Sequence, residues 1–286
     1  MTDPVPAACI VGWPVKHSRS PLIHGHWLKE YGLDGSYERI DVAPVDFGDF
    51  LSGFAARGFA GGNVTIPHKE AAFAGVDRRT ARAERVKAVN TLWIEDGLLW
   101  GDNTDVVGFM AHLDATLGTG WEQDVDTALV IGAGGAARAV VAGLQDRPVK
   151  RILVTNRTLA KAEDLVRDLR PGSRVGLETS AWEALGRVIP HARLIVNTTS
   201  LGMAGQPPLA LDLGRAPRNA AVADIVYVPL QTPLLAAAAA QGLRIVDGLG
   251  MLLHQAVPGF ERWFGVRPRV TPELRALILA DIEGQR

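Results

Sequence analysis

The chain alternates short apolar runs with longer stretches in which apolar residues recur every three or four positions. The first pattern predicts strands and the second predicts amphipathic helices. Strands are expected over 7–12, 36–40, 61–66, 127–131, 151–155, 194–197, 221–225 and 243–246. Helices are expected over 20–31, 46–56, 105–115, 135–144, 159–169, 233–241, 251–264 and 272–282. Leu129-Val130-Ile131 and Ile152-Leu153-Val154 are apolar on both faces, as central parallel strands covered by helices on each side must be. The alternation predicts an α/β fold of two domains, 1–106 and 107–246. The tail 247–286 is helical without a strand pattern and is expected to pack back on the first domain. Residues 116–126 read as a surface connection, and the alanine run 236–240 as surface helix.

Composition narrows the function. With 286 residues, 47% of them hydrophobic and 21% charged, the chain can bury a core without disulfides. Lys+Arg is 30 against Asp+Glu 31, so no overall field draws in nucleic acid or an anionic membrane. The single cysteine, Cys9, excludes an intrachain disulfide and a cysteine-rich zinc site. His24 and His26 stand two apart with no third ligand, so both read as helix surface and no metal site is expected. The start Met1-Thr2-Asp3-Pro4 lacks the basic and apolar pattern of a signal peptide, and the longest apolar stretch, 234–240, is far below the roughly 20 residues that span a bilayer. A cytoplasmic protein acting on a small molecule is expected. Glycine is the anomaly: 31 residues, about 11%, where about 7% is usual.

One glycine cluster carries a mechanism. Gly132-Ala133-Gly134-Gly135-Ala136-Ala137 follows a predicted strand and opens a predicted helix. In such a loop the first Gly makes the turn, the second lets backbone N–H groups approach a pyrophosphate, and the small Ala137 permits close helix–strand packing. The plain alternative is a structural turn. The next strand ends in Asn156-Arg157-Thr158, without the acid that would hold a ribose 2′-hydroxyl. Arg157, with Lys161 one helical turn on, suits a 2′-phosphate, so NADP is preferred over NAD; the plain alternative is a solvated arginine at a helix start. Thr158 is placed to cap the helix that follows.

Four further segments are too polar for the cores they interrupt. In 12–21 the hydroxyls of Ser18 and Ser20 point the same way if the chain is extended and can share one carboxylate; helix capping by Ser20 before Pro21 is an equal alternative. In 62–69 Asn63 and Thr65 face one side, and Lys69 falls in the first turn of a helix, where the dipole disfavours it. Asn90 interrupts an apolar run at 88–91. Asp105 ends the polar segment 101–105 at a helix start, where capping by itself explains it better than catalysis. Together these amides, hydroxyls, one Lys and one Asp suit a polyhydroxylated acid.

In this order the segments resemble the shikimate dehydrogenase family over nearly the whole chain: G-W-P-V-K-H-S-R-S-P, G-N-V-T-I-P-H-K, A-V-N-T, N-T-D-x-x-G-F, G-A-G-G-A-A, N-R-T, N-T-T-S-L-G-M, Y-x-P-x-x-T-P-L-L and G-L-G-M-L-L-H-Q-A. The resemblance implies NADP-dependent, reversible reduction of 3-dehydroshikimate to shikimate in aromatic amino-acid biosynthesis. It also implies a substrate domain, 1–106 plus 247–286, interrupted by a Rossmann-type NADP-binding domain, 107–246. Position by position, Lys69 and Asp105 match the catalytic pair, and Ser18 and Ser20 the carboxylate contacts. Thr65, Asn90 and Gln255 would hold ring hydroxyls with Asn63 beside them, and Tyr227 would sit at the substrate. The segments from Gly132 to Ala137 and from Asn156 to Lys161 match the cofactor contacts, with backbone contacts at Ile225 and Gly248. The sequence departs from the usual pattern at Gly25, Lys87 and Ala81, where Asn, Gly and an acid are common. A quinate or aminoshikimate dehydrogenase and a non-catalytic metabolite sensor are the alternatives; the lack of a DNA-binding element and retention of Lys69 and Asp105 count against the sensor. Monomer and homodimer both fit.

Overall fold

The computed structural model describes residues 5–284. Residues 1–4, whose composition argued against a targeting segment, lie outside them. The chain divides into two compact units, Met1–Thr104 with Leu253–Arg286, and Asp105–Leu252. No helix among the described residues is long and apolar enough to cross a membrane.

The first unit is built on strands β1 (Ala7–Gly12), β2 (Ser36–Asp41), β3 (Phe59–Val64), β4 (Arg78–Arg79), β5 (Thr91–Glu95) and β6 (Leu98–Asp102). They form one sheet in the order β2-β1-β3-β5-β6-β4. β1 runs parallel to β2 and β3, while β5 is antiparallel to both its neighbours. Alternate residues of these strands serve opposite faces. Cys9, Val11, Val64, Leu92 and Leu99 pack with Phe47, Phe50, Leu51 and Phe54 from helix α2 (Phe47–Ser52) and the turn after it, and with Ala72, Val76 and Ala83 near helices α3 (Lys69–Gly75) and α4 (Ala81–Val86). Ala8 and Trp93 face the other way, onto Trp263. That side is covered by helix α1 (Ser20–Glu30) and the chain's end. Trp27 of α1 donates to the Arg269 carbonyl at 3.0 Å, and Trp263 donates to the Leu92 carbonyl at 2.9 Å. The C-terminal residues therefore complete the first unit.

The second unit holds helix α5 (Asp105–Leu117), then β7 (Thr127–Ile131), α6 (Gly135–Gln145), β8 (Arg151–Thr155), α7 (Leu159–Leu169), β9 (Gly176–Ser180), α8 (Leu185–Val188), β10 (Leu194–Asn197), β11 (Ala221–Asp224), α9 (Pro233–Ala240) and β12 (Arg244–Val246). The last helices, α10 (Gly248–Phe264) and α11 (Pro272–Gly284), lead the chain back into the first unit. The second sheet is wholly parallel, in the order β12-β11-β10-β7-β8-β9. Strand order reverses between β7 and β10, the doubly wound Rossmann arrangement. Ala128 and Val130 pack on one side with Ala137, Val140, Val141 and Leu144 of α6, while Leu129 and Ile131 pack on the other with Leu234, Leu235 and Ala238 of α9. The doubly apolar runs are thus central strands, covered on both faces as expected.

Several local expectations need correction. His24 is not on a helix surface: it is fully buried, its ring stacked on Tyr37 at a centroid distance of 4.1 Å. Ser20 is the first residue of α1, with Arg19 at the N-cap, so it does not cap. Thr158 occupies the N-cap of α7, but its side chain makes no capping bond. The stretch 116–126 carries a buried Trp121, whose Nε1 donates to Asp114 at 2.9 Å. The predicted helix 46–56 is broken around Gly53 into α2 and short 3-10 turns. Strands β4, β5, β6 and β9 and helices α4 and α8 were not foreseen; each is short, and their charged and tryptophan-bearing positions hide the alternation.

Candidate active site

In the first unit the polar groups gather around the carboxyl ends of β1 and β3 and the start of β5. The turn after β1 closes with Ser18 N–H on the Val15 carbonyl at 2.9 Å, and Asp41 accepts from Val15 N–H at 2.8 Å. Arg39 reaches from β2 to donate twice to the Ser18 carbonyl, at 2.9 and 2.6 Å. Arg19 pairs with Asp281 of α11 at 3.0 Å. Held this way, the Ser18 and Ser20 hydroxyls lie 3.3 Å apart. At that separation both oxygens can face one carboxylate, while Ser20, already inside α1, is not its cap.

Asn63 and Asn90 are held by different parts of their amides. Asn63 accepts from the Tyr37 hydroxyl at 2.6 Å and donates to the Asn90 carbonyl at 3.1 Å and to Thr91 Oγ1 at 3.3 Å. Both its N–H bonds are used inside the protein. The Asn90 Oδ1 accepts from Thr104 N–H at 2.7 Å, Thr104 Oγ1 at 3.1 Å and Thr91 Oγ1 at 2.9 Å. A backbone N–H can only donate, so the oxygen of Asn90 must face Thr104. Its carbonyl is saturated by these three donors. Tyr37, Thr91 and Thr104 therefore set the orientation of both asparagines. Sequence reading assigned them no role, because hydroxyls serving other polar side chains leave no periodic signal.

Thr65 follows β3 at the rim, half-buried, and Lys69 opens α3 behind the buried His68, whose ring stacks on Phe47 at 4.2 Å. Gln255 is buried on α10 within the first unit. Asp105 is buried as the first residue of α5 and of the second unit, inside the helix rather than at its cap. Its neighbour Asp102 accepts from Thr80 Oγ1 at 2.5 Å and pairs with Arg82.

In the second unit the candidate groups sit at the carboxyl ends of the parallel strands, where open α/β sheets bind ligands. Gly132 follows β7 with φ +118°, and a Cβ there would lie 2.5 Å from Thr198 Oγ1, so only glycine fits. Gly134 is the N-cap of α6 in extended conformation without a side-chain cap, and both Gly134 and Gly135 are exposed with open space where a Cβ would be. Ala133 and Ala136 flank them half-buried, and Ala137 packs fully buried. An uncapped helix start with bare backbone around it fits a pyrophosphate. Beyond β8, Asn156 Nδ2 folds onto the Thr158 carbonyl at 2.9 Å, while Arg157 and Lys161 are exposed at the start of α7, with no carboxylate paired to either among the described residues. This end of the site accordingly suits a phosphate on the adenosine ribose. After β11, Ile225 and Tyr227 are half-buried, and Gly248 packs so closely that a Cβ would stand 2.3 Å from the Ile225 carbonyl oxygen. Asp224 is 2% exposed, and burial pushes its carboxyl up to about 6.

Three family descriptions match the chain: "Shikimate dehydrogenase substrate binding domain" over residues 10–92, "Shikimate / quinate 5-dehydrogenase" over 119–203 and "Shikimate 5'-dehydrogenase C-terminal domain" over 248–277. The chain is 61% identical over 286 residues to the shikimate dehydrogenase (NADP(+)) of Methylobacterium radiotolerans, covering 99% of this chain and 100% of that one. Among solved structures, the Thermus thermophilus shikimate 5-dehydrogenase in complex with NADP(H) and shikimate is 34% identical with a TM-score of 0.83, covering 98% of this chain and 99% of that one. The quinate dehydrogenase of Corynebacterium glutamicum in complex with NAD is 30% identical with a TM-score of 0.88, covering 96% of this chain and 99% of that one. Fold alone thus accommodates either substrate and either cofactor, and the sequence identity separates them. This chain belongs to the shikimate dehydrogenase family.

Proposed function

We propose that the protein catalyses the reversible NADP-dependent interconversion of shikimate and 3-dehydroshikimate, in the cytoplasm, as a step towards chorismate and the aromatic amino acids, working as a monomer or homodimer. The observation that carries this reading is the 61% identity, from end to end, to an enzyme named for that substrate and cofactor. The acid-free Asn156-Arg157-Thr158 segment supports NADP, and the 3.3 Å pairing of Ser18 and Ser20 supports a carboxylate on the substrate.

In this reading residues 1–106 and 247–286 bind substrate and 107–246 bind the cofactor. Gly132, Ala133, Gly134, Gly135, Ala136 and Ala137 take the pyrophosphate; Asn156, Arg157, Thr158 and Lys161 take the 2′-phosphate; Ile225 and Gly248 offer backbone to the nicotinamide end. Bound NADP supplies the acceptor and donor of hydride. The chain's own task is to place the substrate and move one proton. Ser18 and Ser20 donate to the carboxylate. Thr65, Gln255 and the amide nitrogen of Asn90 hold ring hydroxyls, Asn63 braces Asn90 from behind, and Tyr227 borders the substrate. Lys69 takes the proton from the C3 hydroxyl when shikimate is oxidised and returns it to the C3 oxygen in reduction, with Asp105 as its acid–base partner. Such proton transfer contributes about 10²–10⁴ in rate.

The test is initial-rate absorbance of reduced cofactor with shikimate or quinate, each with NADP or NAD. Shikimate with NADP is expected to exceed every other pairing at least tenfold in kcat/KM. A higher value for quinate or for NAD refutes the assignment of substrate or cofactor respectively. Shikimate binding without turnover in any pairing points to a sensor instead.

A further inference from the structure

The second unit buries a carboxylate that the reaction does not use. Asp224 ends β11, and its partners are neutral: Asn197 Nδ2 at 2.9 Å and Val226 N–H at 3.0 Å donate to one oxygen, and the Thr232 hydroxyl at 2.7 Å donates to the other. An ionised group buried among neutral partners is unfavourable by itself. What it offers is acceptor capacity, since a carboxylate takes every one of these donors and an amide cannot.

Each donor ties down a different piece of chain. Thr232 also accepts from Leu235 N–H at 3.3 Å and caps α9. Asn197 gives its other N–H to the Leu201 carbonyl at 3.1 Å, and its oxygen accepts from Thr199 N–H at 3.0 Å and Thr199 Oγ1 at 2.7 Å. The next residue, Thr198, donates twice to the Ile131 carbonyl, from N–H at 2.8 Å and Oγ1 at 2.7 Å, directly beside Gly132. Ala204 N–H reaches the Val228 carbonyl at 2.8 Å. One line of hydrogen bonds therefore runs from the glycine loop, across the point where strand order reverses, to residues 225–232. Gly248 closes against the Ile225 carbonyl from the other side.

We propose that Asp224 is a positioning residue for the cofactor: it fixes the 225–232 segment to the loop after β10, and through Thr198 to the glycine loop, so that the nicotinamide-end contacts are formed before NADP arrives. This rests on the functional reading above. It assigns Asp224, Asn197 and Thr232 a role in the affinity for the nicotinamide half of the cofactor, and none for the adenosine half.

The experiment compares Asp224→Asn, Thr232→Val and Thr232→Ser with the parent chain by calorimetric titration of NADP+ and, separately, of adenosine 2′,5′-bisphosphate, which lacks the nicotinamide. Asp224→Asn and Thr232→Val are expected to weaken NADP+ about tenfold, the worth of one charge-assisted bond in such a network. Binding of the bisphosphate stays within twofold, and Thr232→Ser restores NADP+ affinity. Hydrogen exchange of the ligand-free protein is expected to speed up at Val226 in both weakened variants. If Asp224→Asn does not fold, the Thr232 pair decides. NADP+ affinity within twofold of the parent in the folded variants overturns the proposal, as does an equal loss for the bisphosphate, which marks a general structural role. A parent chain that binds no NADP+ instead overturns the functional reading itself.

Discussion

The two units make their candidate sites from different parts of the chain. In the second unit the site is mostly backbone: a glycine with φ +118°, an uncapped helix start, and carbonyls brought close by Gly248. In the first unit it is mostly side chain, and much of that side-chain capacity is spent internally, as with Asn63 and the oxygen of Asn90. A backbone site depends on a few glycines and on the buried groups, such as Asp224, that fix its backbone. A side-chain site depends on each donor being aimed, and so on residues that never touch the ligand. The units should respond differently to substitution.

The largest effects are expected where side chains do chemistry. Lys69→Ala and Asp105→Asn should each lower kcat at least about 10²-fold, with NADP+ affinity close to the parent's because neither residue belongs to the backbone cradle. Stopped-assay turnover with saturating shikimate measures the first quantity and calorimetry the second. Near-normal turnover in either variant removes that residue from the catalytic pair.

The one part of the cofactor site that depends on side-chain charge is the rim at Arg157. Replacing Arg157 by Ser should cut the preference for NADP over NAD by about tenfold to several hundredfold, corresponding to one or two charge-assisted bonds of roughly 1.5–3 kcal/mol. The ratio of kcat/KM for the two cofactors reads this directly. An unchanged ratio would mean that the 2′-phosphate is read by backbone, extending the contrast between the units to the whole of the second one.

The same contrast explains what was legible in the sequence. β7 and β8 are apolar on both faces and bounded by loop signals, so their limits follow from pattern alone. The glycine loop was readable because its requirement is local: one residue with positive φ, then a helix start. The first unit was harder. β5 and β6 carry Trp93, Glu95 and Trp100, whose stacking and Trp93–Glu95 bond replace simple alternation. Sequence alone left the capping alternative for Ser20 open, because the turn ahead of α1 is braced by Arg39 and Asp41 of β2, more than twenty positions away. His24 was misplaced for the same reason: its neighbours Tyr37, Phe260 and Trp263 come from distant segments.

That misplaced histidine gives the first unit a pH dependence. Burial pushes the His24 imidazole down to about 3 from its ordinary 6.5, against a smaller upward pull from the Asn63 side chain. Unfolded chains take up the proton as pH falls through 6.5, while the folded chain refuses it until about 3. Stability from this group is complete above the unfolded value and is lost as pH falls. At pH 5 the loss is about 2 kcal/mol, at about 1.4 kcal/mol per pH unit. His24→Phe keeps a flat ring against Tyr37 and cannot be protonated. The difference in urea midpoint between pH 7 and pH 5 should shrink accordingly in that variant. An identical difference in both proteins would show that another group carries the acid sensitivity.

The smallest expected effect lies at a position where side-chain identity works against the backbone. Lys87 ends α4 in the left-handed region, φ 55° and ψ 38°, with its N–H on the Ala83 carbonyl at 2.8 Å. Helices commonly stop in this conformation, but with glycine, because a Cβ there crowds the following carbonyl at a cost of about 1–2 kcal/mol. Glycine loses more backbone entropy on folding, by about 0.5–1 kcal/mol, which offsets part of the gain. Lys87→Gly should therefore stabilise the chain by a net of about 1 kcal/mol or less and raise its thermal midpoint by a few degrees. Lys87 is exposed and precedes the Ala88-Val89-Asn90-Thr91 turn into the asparagine network. If the lysine is kept for its charge near the substrate, the more stable variant will show a higher KM for shikimate with kcat unchanged. If KM is also unchanged, the strain at 87 serves neither unit, and the side-chain site ends at Ala88.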